Sequence, residues 1–306
     1  MKFSRKQANR EAHGCPILRF ETHQRTAFSG IVVLQQLFAD LNLADRLKDV
    51  FHGRQAGKIF RPQKLFLQLI VHLLLGCRSL RDVTCYQHDP LVQRVLGMQC
   101  IVSHSTLSRM LREVSDSEIV GLRRCMRGQV LDRLVVLALP RITLDFDGSV
   151  CSTKRRAEGT AVGFNKKKKG ARSYYPLFCT VAQTSQVLDL LHRPGNVHDS
   201  NGAREFILQC VRIVRQRCPH TIIEVRMDSA FFSDEIVHQL DDEPVEFSIS
   251  VPFERFPKLK HVIESRRRWK RCGPGCSSFE LQWKPDSWPR RHRFLVIRQK
   301  VAKQRK

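Results

Sequence analysis

The spacing of apolar positions changes character near residue 140. Before that point the period is helical. Val33, Leu34, Leu37, Phe38 and Leu41 recur at three- and four-residue intervals, and a denser apolar helix runs from Leu65 to Leu75 behind Pro62. Across residues 103–112, Leu107, Met110 and Leu111, with Val114 beyond, share one face, while Ser105, Ser108, Arg109 and Arg112 project elsewhere. A short helix with an apolar stripe and an outward Ser/Arg face is what a helix-turn-helix recognition helix requires. An ordinary surface helix with solvated arginines has the same pattern, and the pattern leaves both readings open. Ser115 and Glu118 stand in the S-x-x-E relation of a capping box. The helix they open carries Ile119, Leu122, Met126, Val130 and Leu134 and stops at Pro140, the expected domain boundary.

After Pro140 the period falls to two. Residues 142–147 alternate apolar and polar, which sets Asp145 and Asp147 on one face of a strand. Strands are expected near 177–181 and 187–191, then a helix from Asp199 to Arg217 with Phe206, Ile207, Cys210, Val211 and Val214 inward. Thr221–Asp228 reads as a strand and 234–240 as a short helix capped by Ser233. The run 245–251 alternates strictly and is the clearest strand of the chain. Asp241, Asp242 and Glu243 read as a solvated helix end. Residues 252–306 become basic, Trp-containing and irregular, with one strand legible at Phe294–Arg298. The order describes an α/β layered domain behind a helical one: 1–140 helical, 141–251 α/β, and 252–306 a basic extension.

Charge narrows the partners. Among 306 residues, 53 Lys+Arg oppose 29 Asp+Glu, a formal net charge of +24, so a polyanion is the expected partner. A membrane is disfavoured: no apolar region follows the basic start, and Leu65 to Cys77 is too short to span a bilayer. Eleven cysteines, an odd number scattered along the chain, do not form a disulfide framework, and reduced thiols fit a cytoplasmic protein. Cys272 and Cys276 are the one close pair. A zinc site there would need two more ligands, with only His261 and His292 nearby, so a Gly-Pro turn holding two thiols is the plainer reading.

The candidate chemistry lies at strand ends. Asp147, before Gly148-Ser149, and Asp228, before Ser229, each close a strand. Carboxylates fixed by a sheet can hold Mg²⁺, with Mn²⁺ as an alternative, for phosphodiester chemistry. Aspartates at strand ends also simply start turns. Directly after Asp147 comes a basic loop, with Lys154, Arg155 and Arg156, then Lys166, Lys167, Lys168, Lys169 and Arg172. It could grip phosphates beside the carboxylates, with Phe164, Tyr174 and Tyr175 for base stacking. A solvated basic loop is the plain alternative. His198, in the turn Arg193-Pro-Gly-Asn-Val-His198, could approach the site or lie idle on the surface.

Read together in order, Asp145-Phe-Asp-Gly-Ser149, Glu158-Gly-Thr-Ala-Val-Gly-Phe-Asn165, Lys168-Lys-Gly-Ala-Arg-Ser-Tyr-Tyr-Pro176, Arg193-Pro-Gly-Asn196 and Arg226-Met-Asp-Ser-Ala-Phe-Phe232 resemble the DDE transposases of the IS1380 family, within the IS4-like group. The helical lead with Ser103 to Arg109 fits the same family. The resemblance implies an RNase H-like catalytic domain preceded by an all-helical DNA-binding domain, with a strand-rich insertion. It implies Asp147 and Asp228 as the first two catalytic acids and metal ligands, with Arg109, Arg112, Lys166 to Lys169 and Arg172 on DNA. It also implies hydrolysis at an insertion-sequence end to free a 3′-hydroxyl, then attack of that hydroxyl on target DNA. The implied partners are double-stranded DNA, both terminal inverted repeats and target, and a second copy of the chain. The implied location is the bacterial nucleoid. One departure stands out: the family's third acid, a glutamate in a Tyr/Arg/Glu/Lys helix after the insertion, is not found before Lys306. Glu254, Glu264 and Glu280 come too early. The expectation is therefore a chain truncated before its third acid, able to bind terminal repeats without cutting them or to inhibit the full-length enzyme. Loss of the covering helix would leave apolar sheet surface exposed.

Overall fold

The computed structural model describes residues 26–54, 60–153, 156–163, 168–198 and 201–300. They form two compact units divided between Asp132 and Arg133, inside a long helix.

The first unit is helical. Its elements are α1 (Ile31–Asp40), α2 (Leu43–Val50), α3 (Pro62–Leu74), a 3-10 turn (Leu80–Cys85), α4 (Pro90–Leu96), α5 (His104–Arg112) and the start of α6 (Asp116–Leu137). Local chemistry sets the starts. Pro62 opens α3 and Pro90 opens α4, where a missing N–H costs nothing, and Asp89 accepts from Leu91 N and Val92 N as an N-cap. The capping box at α6 forms as its spacing predicts: Glu118 Oε2 accepts from Ser115 N at 2.8 Å and Ser115 Oγ from Glu118 N at 3.3 Å. The core gathers Leu47, Phe51, Leu65, Leu67, Val71, Val92, Leu96, Leu107 and Met110. Gln68, fully buried within it, donates to Val102 O at 3.1 Å and accepts from Val102 N at 3.2 Å. A buried amide satisfied at both ends pins the approach to α5. One expected inward residue is displaced: Leu111 is 43% exposed, because Leu107 and Met110 already fill the inward arc of a nine-residue helix.

The second unit is built on a five-stranded sheet. Its strands are β1 (Arg141–Gly148), β5 (Leu177–Val181), β6 (Gln186–Leu191), β7 (Ile222–Met227) and β8 (Glu246–Ile249), in the order β6-β5-β1-β7-β8. β1 is central. It pairs antiparallel with β5 and parallel with β7, which in turn runs parallel to β8. Between β1 and β5 lies a small antiparallel sheet of β2 (Cys151–Ser152), β3 (Ala161–Val162) and β4 (Arg172–Tyr174). Helices α7 (Ala203–Arg217) and α8 (Asp234–Asp241) follow within this unit. The five expected inward residues of α7 are buried, and Phe206 meets Phe146 of β1 edge-on at 5.9 Å. Asp199 lies outside the described residues.

Alternation gives β1 and β7 two unlike faces. Ile142, Leu144, Phe146, Ile223, Val225 and Met227 are buried on the side of α7. The opposite side carries Thr143, Asp145, Asp147, Glu224, Arg226 and Asp228. The apolar surface expected on an uncovered sheet is therefore absent from these two strands, because their second face is polar by sequence.

Residues 252–300 are ordered rather than irregular. A helix α9 (Pro257–Glu264) leads into an antiparallel sheet of β9 (Lys270–Gly273), β10 (Cys276–Trp283) and β11 (His292–Gln299). Aromatic residues spaced for no single period hold this sheet to the core of the unit. Phe232 stacks on Trp288 at 4.9 Å, and Phe256, Trp283 and Phe294 close around them.

Candidate functional site

The two strand-end carboxylates come together. The parallel register pairs Thr143 with Glu224, Asp145 with Arg226 and Phe146 with Met227. Asp147 and Asp228 each follow the last registered pair by one position, where neighbouring strands run about 4.8 Å apart. Both side chains lie on the polar face, and both residues are exposed. The β1–β7 pairing ends at Phe146 and Met227, while β1 stays paired with β5 through Gly148, so Asp147 lies near the C-terminal end of β1 and Asp228 directly after β7.

The rungs beneath are internally neutralised. Arg226 grips Asp145 with two hydrogen bonds, Nε to Oδ1 at 2.6 Å and Nη2 to Oδ2 at 2.7 Å, and this bond raises the Arg226 pKa. Thr143 Oγ1 donates to Glu224 at 2.9 Å, and Arg141 binds Glu246 at 2.5 Å. The Arg141 guanidinium holds the Glu246 carboxyl below its usual range. Asp145 is thus committed to an arginine, while Asp147 and Asp228 are the carboxylates presented beyond the last rung. Asp228 also serves the plainer purpose, since its Oδ1 caps the 3-10 turn Ser229–Phe231 through Ala230 N at 2.9 Å. The other oxygen of that carboxylate remains for a ligand. Two carboxylates on adjacent, sheet-fixed strand ends are a hard-oxygen donor set that fits Mg²⁺.

The small sheet β2–β4 continues directly from β1. Ser149 N donates to Pro176 O at 3.0 Å, and Thr153 N and Oγ1 both donate to Arg172 O, so the small sheet grows directly out of the Asp147 edge. Lys168 and Lys169 are exposed at its turn. Lys154, Arg155, Phe164, Lys166 and Lys167 lie outside the described residues. Arg172 turns inward, its guanidinium bonded to Oγ1 and O of Thr160. Tyr174 donates its hydroxyl to Glu158 O and packs on His192, and Tyr175 lies beneath Arg193. Both tyrosines are engaged within the hairpin.

Sequence reasoning passed over the residue that holds this assembly. Arg193 is 4% exposed and donates to Tyr175 O at 3.1 Å, His198 O at 3.2 Å and Asn201 O at 2.9 Å. Its turn crosses the hairpin at two glycines: a Cβ on Gly163 would stand 1.6 Å from Gly195 O, so only glycine admits the backbone there. The signal was present in the Arg-Pro-Gly run, where an arginine bounded by turn residues reads as surface. His198 is exposed, its carbonyl taken by Arg193.

The remaining candidates are dispersed. Arg109 and Arg112 are exposed in the last turn of α5. Glu254 and Glu264 both pair with Lys260, and Glu280 with Arg293, which lowers the Glu280 pKa. The acidic end of α8 is paired rather than only solvated: Asp241 faces His292, Asp242 faces Arg290 and Glu243 faces Arg212. Cys272 and Cys276 flank the β9–β10 turn, and among the described residues they belong to no cluster of three metal-ligating side chains. No helix among the described residues is long and apolar enough to cross a membrane.

Comparison with known proteins adds a family. A family model described as "Transposase DDE domain group 1" matches residues 17–305. No curated protein matches the chain. Among solved structures, a piggyBac transposase synaptic complex with hairpin DNA is similar at 14% identity and a TM-score of 0.34, covering 85% of this chain and 51% of that one. The Drosophila P element transposase strand transfer complex matches at 13% identity and 0.32, covering 76% and 51%. The Mos1 mariner paired end complex with Mn matches at 11% identity and 0.26, covering 70% of each. The chain spans about half the length of the piggyBac and P element chains.

Proposed function

The chain belongs to the DDE transposase domain group 1 family, and on that premise we propose that it cuts and joins DNA as the transposase of an insertion sequence of the IS1380 kind, in the IS4-like group. The observation that carries the proposal is the position of Asp147 and Asp228, each one residue beyond the last registered pair of β1 and β7. A central strand flanked by an antiparallel pair on one side and parallel strands on the other supports reading residues 141–251 as an RNase H-like core. Residues 1–140 are the DNA-binding part, with Arg109 and Arg112 of α5 toward the duplex, and 252–306 are the strand-rich insertion.

In this reading Asp147 and Asp228 hold Mg²⁺ or Mn²⁺ through carboxylate oxygens. When bound, the metal supplies charge stabilisation at the attacking and leaving oxygens of a phosphodiester. The protein's own groups do the rest. Asp145, tied to Arg226, leaves the site's charge to the outer pair. Lys168 and Lys169, with Lys166 and Lys167 of the same loop, draw the phosphate backbone to the carboxylate edge, and Arg172, its guanidinium held by Thr160, braces the loop. Water first opens the bond at the element end, leaving a 3′-hydroxyl and a 5′-phosphate; that hydroxyl then attacks a target phosphate in line, displacing the target strand's own 3′-oxygen, which leaves as a hydroxyl. Two copies of the chain would bring two ends together.

A second reading rests on a specific observation. Glu254, Glu264 and Glu280, the acids of the C-terminal extension, are each held in an ion pair with a neighbouring cation. The chain would then bind terminal repeats without cutting. Incubating the purified chain with supercoiled DNA bearing the element ends, under Mg²⁺ or Mn²⁺, separates the two. Nicking that Asp147→Asn abolishes supports the enzyme; salt-sensitive binding with no nicking supports the binding protein.

A further inference from the structure

The helical unit contains a grouping of side chains that the carboxylate site does not use. His72, Cys77 and Asp82 each bring one ligand atom within 4.8 Å of the other two. His72 comes from the last turn of α3, Cys77 from the connection behind it and Asp82 from the 3-10 turn that follows. Their surroundings are already oriented. His72 is 2% exposed; its Nε2 faces Ser79 O at 3.0 Å and so carries a proton, leaving Nδ1 to accept from the Tyr86 hydroxyl at 2.9 Å. Asp82 Oδ2 accepts from Arg78 N at 3.0 Å and Ser79 N at 2.9 Å, which fixes the carboxylate. Cys77 and Asp82 are half-buried, giving a path from solvent. Cys85 closes the same 3-10 turn and is exposed.

We propose that His72, Cys77 and Asp82 bind one divalent transition metal ion of the zinc class, with the Cys85 thiol or a water as fourth ligand. A nitrogen, a thiolate and a carboxylate from one short stretch are a borderline-soft set that suits zinc and not Mg²⁺. Tetrahedral zinc at its usual bond lengths sets ligand atoms roughly 3.3–3.8 Å apart, so side-chain rotations of about 1 Å close the site. One hydrogen bond of His72 is exchanged for the metal bond, and the other continues to orient the ring, as the outer partner of a ligating histidine does. Burial, with Asp82 and Cys85 alongside, pushes the Cys77 thiol up, so binding releases its proton to solvent. The ion would staple the end of α3 to the turn that precedes α4. This site stands whether or not the chain cuts DNA.

The test uses the full chain, reduced, stripped with a chelator and titrated with Zn²⁺ against a chromophoric competitor, then with Co²⁺. The expected result is one tight equivalent, a thiolate-to-cobalt absorption band and a raised melting temperature. Binding is lost in Cys77→Ser and Asp82→Asn and kept when Cys272 and Cys276 are both replaced by serine. The proposal is overturned if the wild-type chain takes up no stoichiometric metal, if uptake survives Cys77→Ser, or if it vanishes with the Cys272/Cys276 pair. Because the wild-type titration decides by itself, a poorly folded variant does not shield the proposal.

Discussion

Arg226 and Asp145 are joined by two hydrogen bonds of 2.6 and 2.7 Å, two positions before Asp147 and Asp228 on the adjacent strands β1 and β7. This pair separates two aspartates that the sequence sets on one face. Asp145 is neutralised within the sheet; Asp147 is carried past it. Asp147→Asn and Asp228→Asn are therefore expected to cut metal-dependent nicking by on the order of 100-fold or more while leaving DNA binding intact. Asp145→Asn should reduce activity far less and cost about 1 kcal/mol of stability, the scale of a partly exposed ion pair. Nicking rates and denaturant melts on the three variants check this. Equal loss at all three positions would remove the distinction.

The crossing of Gly163 and Gly195 leaves no room for a side chain. Gly163→Ala is expected to destabilise the small sheet by about 3 kcal/mol or more, since the obstacle is backbone and cannot swing aside. Arg193→Gln should act similarly by withdrawing donors from three carbonyls. Limited proteolysis would then cut first within residues 150–176. An unchanged digestion pattern in both variants would refute the clamp.

Burial pushes the Tyr86 phenol up to about 12, whereas an unfolded tyrosine ionises near 10. The folded state thus holds its proton over a window where the unfolded state has released it. The associated stability is complete below pH 10 and is lost as pH rises toward 12, by on the order of 2 kcal/mol. Denaturant melts from pH 9 to 11.5 should show the decline, and Tyr86→Phe should flatten it. A slope unchanged in Tyr86→Phe would assign the loss to lysine titration instead.

The C-terminal sheet depends on the stack of Phe232 on Trp288. Trp288 is 5% exposed, and Trp288→Ala is expected to cost about 3–5 kcal/mol. Trp288→Phe should recover much of it. A protease-sensitive site between residues 265 and 292 in the alanine variant, absent from the phenylalanine variant, would be the signature.

Arg109→Ala, Arg112→Ala and Lys168→Ala each test a phosphate contact. A residue that neutralises one phosphate should lower the slope of log affinity against log salt by about 1 on removal. A change in affinity with no change in slope would mean that the residue acts through folding.

Much of this organisation could be read from the chain. The helical period before Pro140, the alternation that carries Asp147 to the edge of β1 and the caps at Ser115 and Ser233 all rest on local rules, and local rules survive in isolation. What escaped depends on distant partners. Nothing near Asp145 announces Arg226, 81 residues away. Arg193 looks like surface because its acceptors are backbone carbonyls, which no side-chain pattern reveals. Residues 252–300 read as irregular because their sheet is held by aromatic contacts at unequal spacing. Leu111 was assigned inward from its period, but a stripe three residues wide is broader than the surface α5 buries.

The central place of β1 also fixes when the carboxylate pair can exist. Asp147 is synthesised early, but its companion arrives only after β5, β6 and α7 have been made, and the parallel pairing with β7 closes a long loop. Closing such a loop is slow and carries a large entropic cost before any contact repays it. A chain still emerging from the ribosome therefore carries one carboxylate without the other. On this topology the proposed carboxylate site is completed only once β7 has been made and paired with β1.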